Sequence, residues 1–301
     1  MSAPRNGERQ RSSPLVKRIA RENNVDVSQI SGSGIGGRVT KHDILAFIGD
    51  KGTGDREQVA ARPPLAGPRV PSDREEIQPL SVMRKKIAEH MVLSQRTSAH
   101  VHSVFHVNFS HVEKIRHARK DDYERAGAKL TYMAFITKAV IDALRRHPIV
   151  NASLDGDSVV YKKDVNIGIA VALDAGLIVP VIKNAGEKNL LGLSRAIVDV
   201  AERARAKQLK PEEVHGGTFT ITNPGQFGAQ FGMPIINQPQ VAILGVGTIE
   251  KRPVVVDDAI AIRTMAYLTL GYDHRLIDGA VADQFMSDVK KQIEQFDPNQ
   301  V

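Results

Sequence analysis

Near the end of a 301-residue chain stands GYDHRLIDGA, residues 271–280, in which His274 is followed four positions later by Asp278 and then Gly279. Histidine is the side chain most used for proton transfer near neutral pH, so His274 is a candidate general base. A base also needs a fixed orientation. Asp278 can fold back and fasten the loop, most naturally by pairing with an arginine elsewhere, and Gly279 can open a helix. The plainer reading is a strand end running into a helix, with His274 on the surface.

Other chemistry is scarce. The chain has no cysteine, so it offers no disulfide, thiolate metal site or thiol nucleophile of its own. His100, His102 and His106 share a short stretch, HVHSVFHVNFS. No carboxylate joins them at close spacing, and alternation places His102 and His106 on a solvated strand face, so no metal is expected. The loop GSGIGG, residues 32–37, lacks the preceding strand of a dinucleotide-binding unit and reads as turns between two helices.

Elements to carry these residues follow from periodicity. Residues 81–95 repeat Met83, Ile87, Ala88 and Met91 at helical spacing, and HVHSVFHVNFS alternates as a strand. LTYMAFITKAVIDALRRHP is an apolar helix stopped by Pro148. VNIGIAVALDAGLIVPVIKNA is β-rich with Gly176 at a turn, and GLSRAIVDVAERARAKQL is a helix. GGTFTITNPG, QVAILGVG and MAYLTLGYDHR are strands, and GAVADQFMSDVKKQIEQF is a last helix. This is an α/β pattern: a mixed sheet covered by helices.

Composition divides the chain into a polar tail (1–11), a short unit (12–49), a linker (50–76) and a large domain (77–301). The linker holds four prolines and three glycines among many charges and cannot bury a core. The short unit has two helices around the glycine loop. Ser13 and Pro14 start the first, and Thr40 with Asp43 forms a capping box on the second. Residues 1–49 hold eight Lys or Arg against four Asp or Glu, which suits a tethered module docking on an acidic surface. The whole chain is +7, but aromatics are 5% and Trp is absent, which speaks against nucleic acid. No stretch is apolar enough to span a membrane, and the N-terminus lacks a signal peptide's apolar core, so a cytoplasmic location is expected.

The run SPLVKRIARENNVDVSQISGSGIGGRVTKHDILAFI resembles the peripheral subunit-binding domain of the dihydrolipoamide acyltransferases, the core components of 2-oxoacid dehydrogenase complexes. The resemblance implies that Lys17, Arg21 and Arg38 grip dihydrolipoamide dehydrogenase or the 2-oxoacid dehydrogenase component. Lys17 stands where the family often has arginine; charge is kept and bidentate pairing is lost.

From about residue 77 to 296, MRKKIAEHM, GGTFTITNPGQFGAQFGMPIINQPQVAILGVG and YDHRLIDGA together resemble the catalytic domain of the same family. Its fold is that of chloramphenicol acetyltransferase, which shares His-x-x-x-Asp-Gly. The resemblance implies acyl transfer between a dihydrolipoyl thiol and coenzyme A. The coenzyme A thiol is the nucleophile, so the absence of cysteine is no objection. His274 would be the base, Thr222 the oxyanion donor, Asp278 the orienting carboxylate and Arg84 its salt-bridge partner, with Lys183 and Asn184 binding coenzyme A. It also implies a homo-oligomer of trimers, with His274 and Thr222 supplied by different chains. No lipoyl domain is recognisable before residue 12. The lipoyl group is therefore expected in trans or from a segment lost by truncation. An inactive scaffold would be expected to lose His274 or the Thr222 hydroxyl, and both are present. A free-standing acetyltransferase would not need the docking module. Acyl group and core size (24 or 60 subunits) are not legible.

Overall fold

The computed structural model describes residues 12–23, 25–34, 37–54, 74–173 and 176–301; for 49–54 only the backbone is described. The tail and most of the linker lie outside these residues. The chain divides into two units, Met1–Gln78 and Pro79–Val301.

In the first unit, α1 (Pro14–Glu22) starts at Ser13, whose hydroxyl accepts from Val16 N–H. α2 (Lys41–Gly54) runs past residue 50, where composition placed the linker. Val16, Ala20, Ile30, Val39 and Ile44 form a small core. A core of this size is marginal, and polar bonds supplement it. The Asp43 carboxylate accepts from Thr40 N–H at 2.8 Å and from the Ser33 backbone and hydroxyl at 2.9 and 2.6 Å. These donors, the Ser33 hydroxyl first, hold the Asp43 carboxyl far below the usual range. The glycines serve the loop: a side chain on Gly32 would meet the Arg38 backbone at 2.5 Å, and Gly37 has φ +75°.

The second unit begins with α3 (Val82–Thr97), β1 (His100–Asn108), α4 (Ser110–Arg125) and α5 (Tyr132–Arg146). Then come β2 (Ala152–Asp155), β3 (Ser158–Tyr161), β4 (Ile167–Ile169), β5 (Val171–Leu173), β6 (Gly176–Ile178), β7 (Val181–Ile182) and α6 (Leu190–Arg205). The chain ends with β8 (Phe219–Thr222), β9 (Ala242–Val246), β10 (Glu250–Val256), β11 (Ala259–Asp273) and α7 (Gly279–Glu294). The main sheet runs β1-β11-β9-β8-β4-β7, with β10 also on β11. β8 is parallel to both neighbours, and the other pairs are antiparallel. α5 and α7 pack on one another, and α7 also on β1, with Phe135, Ile141, Leu144, Phe285 and Met286 fully enclosed in the core. β9 is buried along its whole length, as expected of a central strand.

Three sequence expectations change. The strand around MAYLTLGYDHR is a 15-residue strand paired with an unforeseen β10 through Asp257 and Asp258, both at positive φ. Two such residues make the tight turn that matches strand twist. Helix α4 was not foreseen. The apolar face of α3 is not covered by the described residues: Val82, Met83, Val92 and Leu93 are exposed, and only Ser94 is buried. Among the described residues no helix is long and apolar enough to cross a membrane.

Candidate active site

β11 ends at Asp273, so His274 is the first residue beyond the strand. Its N–H donates to the Ala99 carbonyl at 2.8 Å. Its ring lies 6.0 Å from that of Tyr272 and is exposed. Among the described residues its imidazole makes no hydrogen bond. The backbone is held firmly, and both ring nitrogens are left to act on something outside the chain.

That hold comes from the residues on either side. The Asp273 carboxylate is 1% exposed. It accepts from Arg275 Nε at 3.0 Å and Nη2 at 2.7 Å, and from the backbone N–H of Arg275 at 3.1 Å and of Ala99 at 3.2 Å. Burial pushes this carboxyl up, but the hydrogen bonds from Arg275 and Ser98 outweigh it and leave its pKa below the ordinary value. The sequence reading missed this fork-to-fork pair, although Asp-His-Arg stands in the motif itself.

The expected pairing of Asp278 with Arg84 is not formed. Asp278 caps α7, its carboxylate accepting from Val281 N–H at 2.8 Å, and among the described residues it makes no ion pair. A carboxylate at a helix start is satisfied by local backbone donors and the positive end of the dipole, so it needs no distant arginine. Arg84 lies instead beside Gly176: a side chain there would meet its guanidinium at 2.8 Å. Gly279 is the first residue of α7.

Thr222 closes β8 and is half-buried. It pairs with Gly245, and Gly245 with Thr269, five residues back along β11 from His274. At ordinary strand rise and spacing that puts Thr222 roughly 20 Å from His274. One chain does not bring the two together. Lys183 and Asn184 follow β7, at the same end of the sheet as His274 but four strand spacings away, also roughly 20 Å. Lys183 Nζ donates to the His215 carbonyl, and Asn184, at φ 49°, has its N–H on Asn166 Oδ1 at 2.8 Å. A groove of about 400 Å³ beside them is lined by Val181, Ile182, Lys188, Ala196 and Val200.

The histidines of β1 are not on a solvated face. His102 Nε2 meets the Pro234 carbonyl at 3.0 Å and His100 Nε2 accepts from Ile236 N–H at 3.1 Å, so both hold residues 234–236 against the sheet. His106 stacks on Tyr267 at 4.7 Å, and burial, then Arg252 and Lys290, depress its pKa. Among the described residues no cluster of three or more His, Cys, Asp or Glu could hold a metal.

In the first unit Lys17, Arg21 and Arg38 are exposed. Lys17 and Arg21, one turn apart, border a shallow groove with Val25, Asp26 and Val27. Arg18 is engaged with Glu22 at 2.9 Å. Lys17 and Arg21 make no ion pair among the described residues.

The model of the 2-oxoacid dehydrogenases acyltransferase catalytic domain matches residues 72–301. The chain belongs to this family. An E3 binding domain model matches residues 11–45. The lipoamide acyltransferase component of a branched-chain alpha-keto acid dehydrogenase complex from Bacillus subtilis is 39% identical over 96% of this chain and 72% of its own length. The acetyltransferase component of the Mycobacterium bovis pyruvate dehydrogenase complex is 41% identical, over 94% of this chain and 54% of that protein. Identity this even across different acyl groups leaves the acyl group undistinguished. Among solved structures, the dihydrolipoamide acetyltransferase of Azotobacter vinelandii, studied for the catalytic role of a serine, a histidine and an asparagine, is 35% identical. It superposes with a TM-score of 0.72 over 75% of this chain and 96% of that one. The mixed sheet and its helices are thus the family's acyltransferase fold.

Proposed function

We propose that this chain transfers an acyl group between a dihydrolipoyl thiol and coenzyme A, at a site completed between neighbouring copies, as the core of a 2-oxoacid dehydrogenase complex. One observation carries the reading. In the Azotobacter relative the serine precedes the histidine by the same number of residues as Thr222 precedes His274, and the asparagine follows at the offset of Asp278. This chain keeps the hydroxyl and the imidazole. The third position, a carboxylate here and an amide there, shares hydrogen bonding and not charge, in line with Asp278 as a helix cap.

The chemistry needs little else. His274 takes the proton of the coenzyme A thiol, and the thiolate attacks the S-acyl dihydrolipoyl carbonyl. The tetrahedral oxyanion accepts a hydrogen bond from the Thr222 hydroxyl of a neighbouring copy. Collapse expels the dihydrolipoyl thiolate, which recovers the proton from the imidazolium. Lys183, with one ammonium proton on the His215 carbonyl, has two left for a coenzyme A phosphate, and Asn184 lies beside it. An extended coenzyme A would run from this edge towards His274. The lipoyl group would arrive on a separate domain.

A trimer-based assembly is supported by apolar surface that one chain leaves open: Val82, Met83, Val92 and Leu93 on α3, and Val255, Ile260 and Ile262 on the β10–β11 hairpin. Residues 12–49 would dock dihydrolipoamide dehydrogenase or the 2-oxoacid dehydrogenase component through Lys17, Arg21 and Arg38, in the cytoplasm. The test is an assay of acetyl-, succinyl- and isobutyryl-coenzyme A against free dihydrolipoamide. Transfer with one of them is expected; transfer with none would overturn the reading.

A further inference from the structure

A run of hydrogen bonds links the His274 loop to residues 234–239, and acyl transfer as written above does not use it. Gln238 Nε2 donates to Ser98 Oγ at 2.6 Å and reaches Ser94 Oγ at 3.3 Å. Ser94 Oγ donates to the Ile236 carbonyl at 2.6 Å. Ser98 is buried at the end of α3, and the next residue, Ala99, joins it to the loop. The Asp273 carboxylate accepts from Ala99 N–H at 3.2 Å, while the Ala99 carbonyl accepts from His274 N–H at 2.8 Å. The catalytic loop and the end of α3 thus bond reciprocally on both sides of one residue.

Among the described residues nothing hydrogen-bonds the imidazole itself, so its placement rests on its backbone. Displacements of about 1 Å at a reacting group cost on the order of a hundredfold in rate. A buried polar run that is fully satisfied is stiff; losing one member leaves a neighbour unpaired.

We propose that Gln238, Ser98 and Asp273 are positioning residues for acyl transfer, holding the His274 backbone against the end of α3 so that residues 234–239 and the base move as one body. This rests on His274 being the base.

The test is steady-state acyl transfer by the full chain, with free dihydrolipoamide and whichever acyl-coenzyme A the parent uses. The variants are Ser98→Ala, Gln238→Glu and Asp273→Asn. Gln238→Glu keeps the shape and replaces a donor with an acceptor. It and Ser98→Ala should each lower kcat about tenfold to a hundredfold, with KM for both substrates within about twofold. The double variant should lose no more than the worse single one, because the members act as a unit. If Ser98→Ala or Asp273→Asn fails to assemble, the isosteric Gln238→Glu decides. A lower melting temperature with unchanged kcat would mean a purely structural run and overturn the proposal. His274→Ala is the control: if it keeps full activity, the base assignment falls and this inference falls with it. If it is dead while Gln238→Glu and Ser98→Ala keep parent kcat, only the positioning role fails.

Discussion

Thr222 and His274 sit at different levels of one sheet, on β8 and just past β11, roughly 20 Å apart at ordinary strand dimensions. A base and an oxyanion donor must reach the same carbonyl, so they can cooperate only when contributed by two copies. Two inactive variants should therefore rescue one another. His274→Ala and Thr222→Ala chains, unfolded together in equal amounts and reassembled, should regain about a quarter of parent activity, because that share of head-to-tail interfaces carries both native residues. Simple mixing of the preassembled variants should regain none. Failure of co-assembled variants to recover would place both roles within one chain.

Taken singly, His274→Ala should reduce acyl transfer by about 10² to 10⁴, the span for one general base. Thr222→Ala should cost about 10² to 10³, the span for one oxyanion donor. Thr222→Ser should keep most activity, since the hydroxyl is what the oxyanion meets. His274 is exposed at a strand end, so assembly measured by sedimentation should be unchanged in His274→Ala.

Asp278 separates capping from charge. Asp278→Ala should lower stability by about 1 kcal/mol through loss of the α7 cap. Asp278→Asn should keep the parent melting temperature, because an amide oxygen caps equally well. A large loss in Asp278→Asn would instead reveal a salt bridge, formed with another copy.

Asp273 sets a pH dependence of stability. Its folded-state pKa is depressed, so it contributes stability above the unfolded carboxylate value, lost as pH falls through the folded one. The melting temperature of the parent should therefore drop as pH is lowered below about 4. Asp273→Asn should start about 2 kcal/mol less stable at neutral pH, having lost charged hydrogen bonds, and should show a shallower acid fall. Equal acid slopes in the two proteins would contradict the assignment.

Docking should respond to charge and salt. Arg21→Ala with Arg38→Ala should weaken dihydrolipoamide dehydrogenase binding by at least about tenfold at low ionic strength, and by less at high, because exposed charges are screened. Arg18→Ala should weaken it less, since Arg18 is already engaged with Glu22. Acyl transfer to free dihydrolipoamide should be unaffected in both variants.

What the sequence determined by itself was whatever depends on neighbours a few residues apart. The caps at Ser13 and Thr40, the helical repeat of α5 and the short strands around Gly176 are local matters of spacing and backbone donors, and each was legible in the order of residues. So was the pairing of a docking unit with a catalytic unit, carried by GRVTKHDI and YDHRLIDGA. Tertiary structure decided what depends on register and on partners far along the chain. The family resemblance implied that Asp278 pairs with Arg84, yet the α7 cap already satisfies Asp278. Asp273 looked like one more strand residue, yet it is buried and accepts from the N–H of Ala99, 174 residues earlier, which places it where it can hold the His274 loop. His102 looked solvated because alternation says which residues share a face, not which face another segment covers. And the separation of Thr222 from His274 is a sum of strand registers, which no spacing along the chain contains.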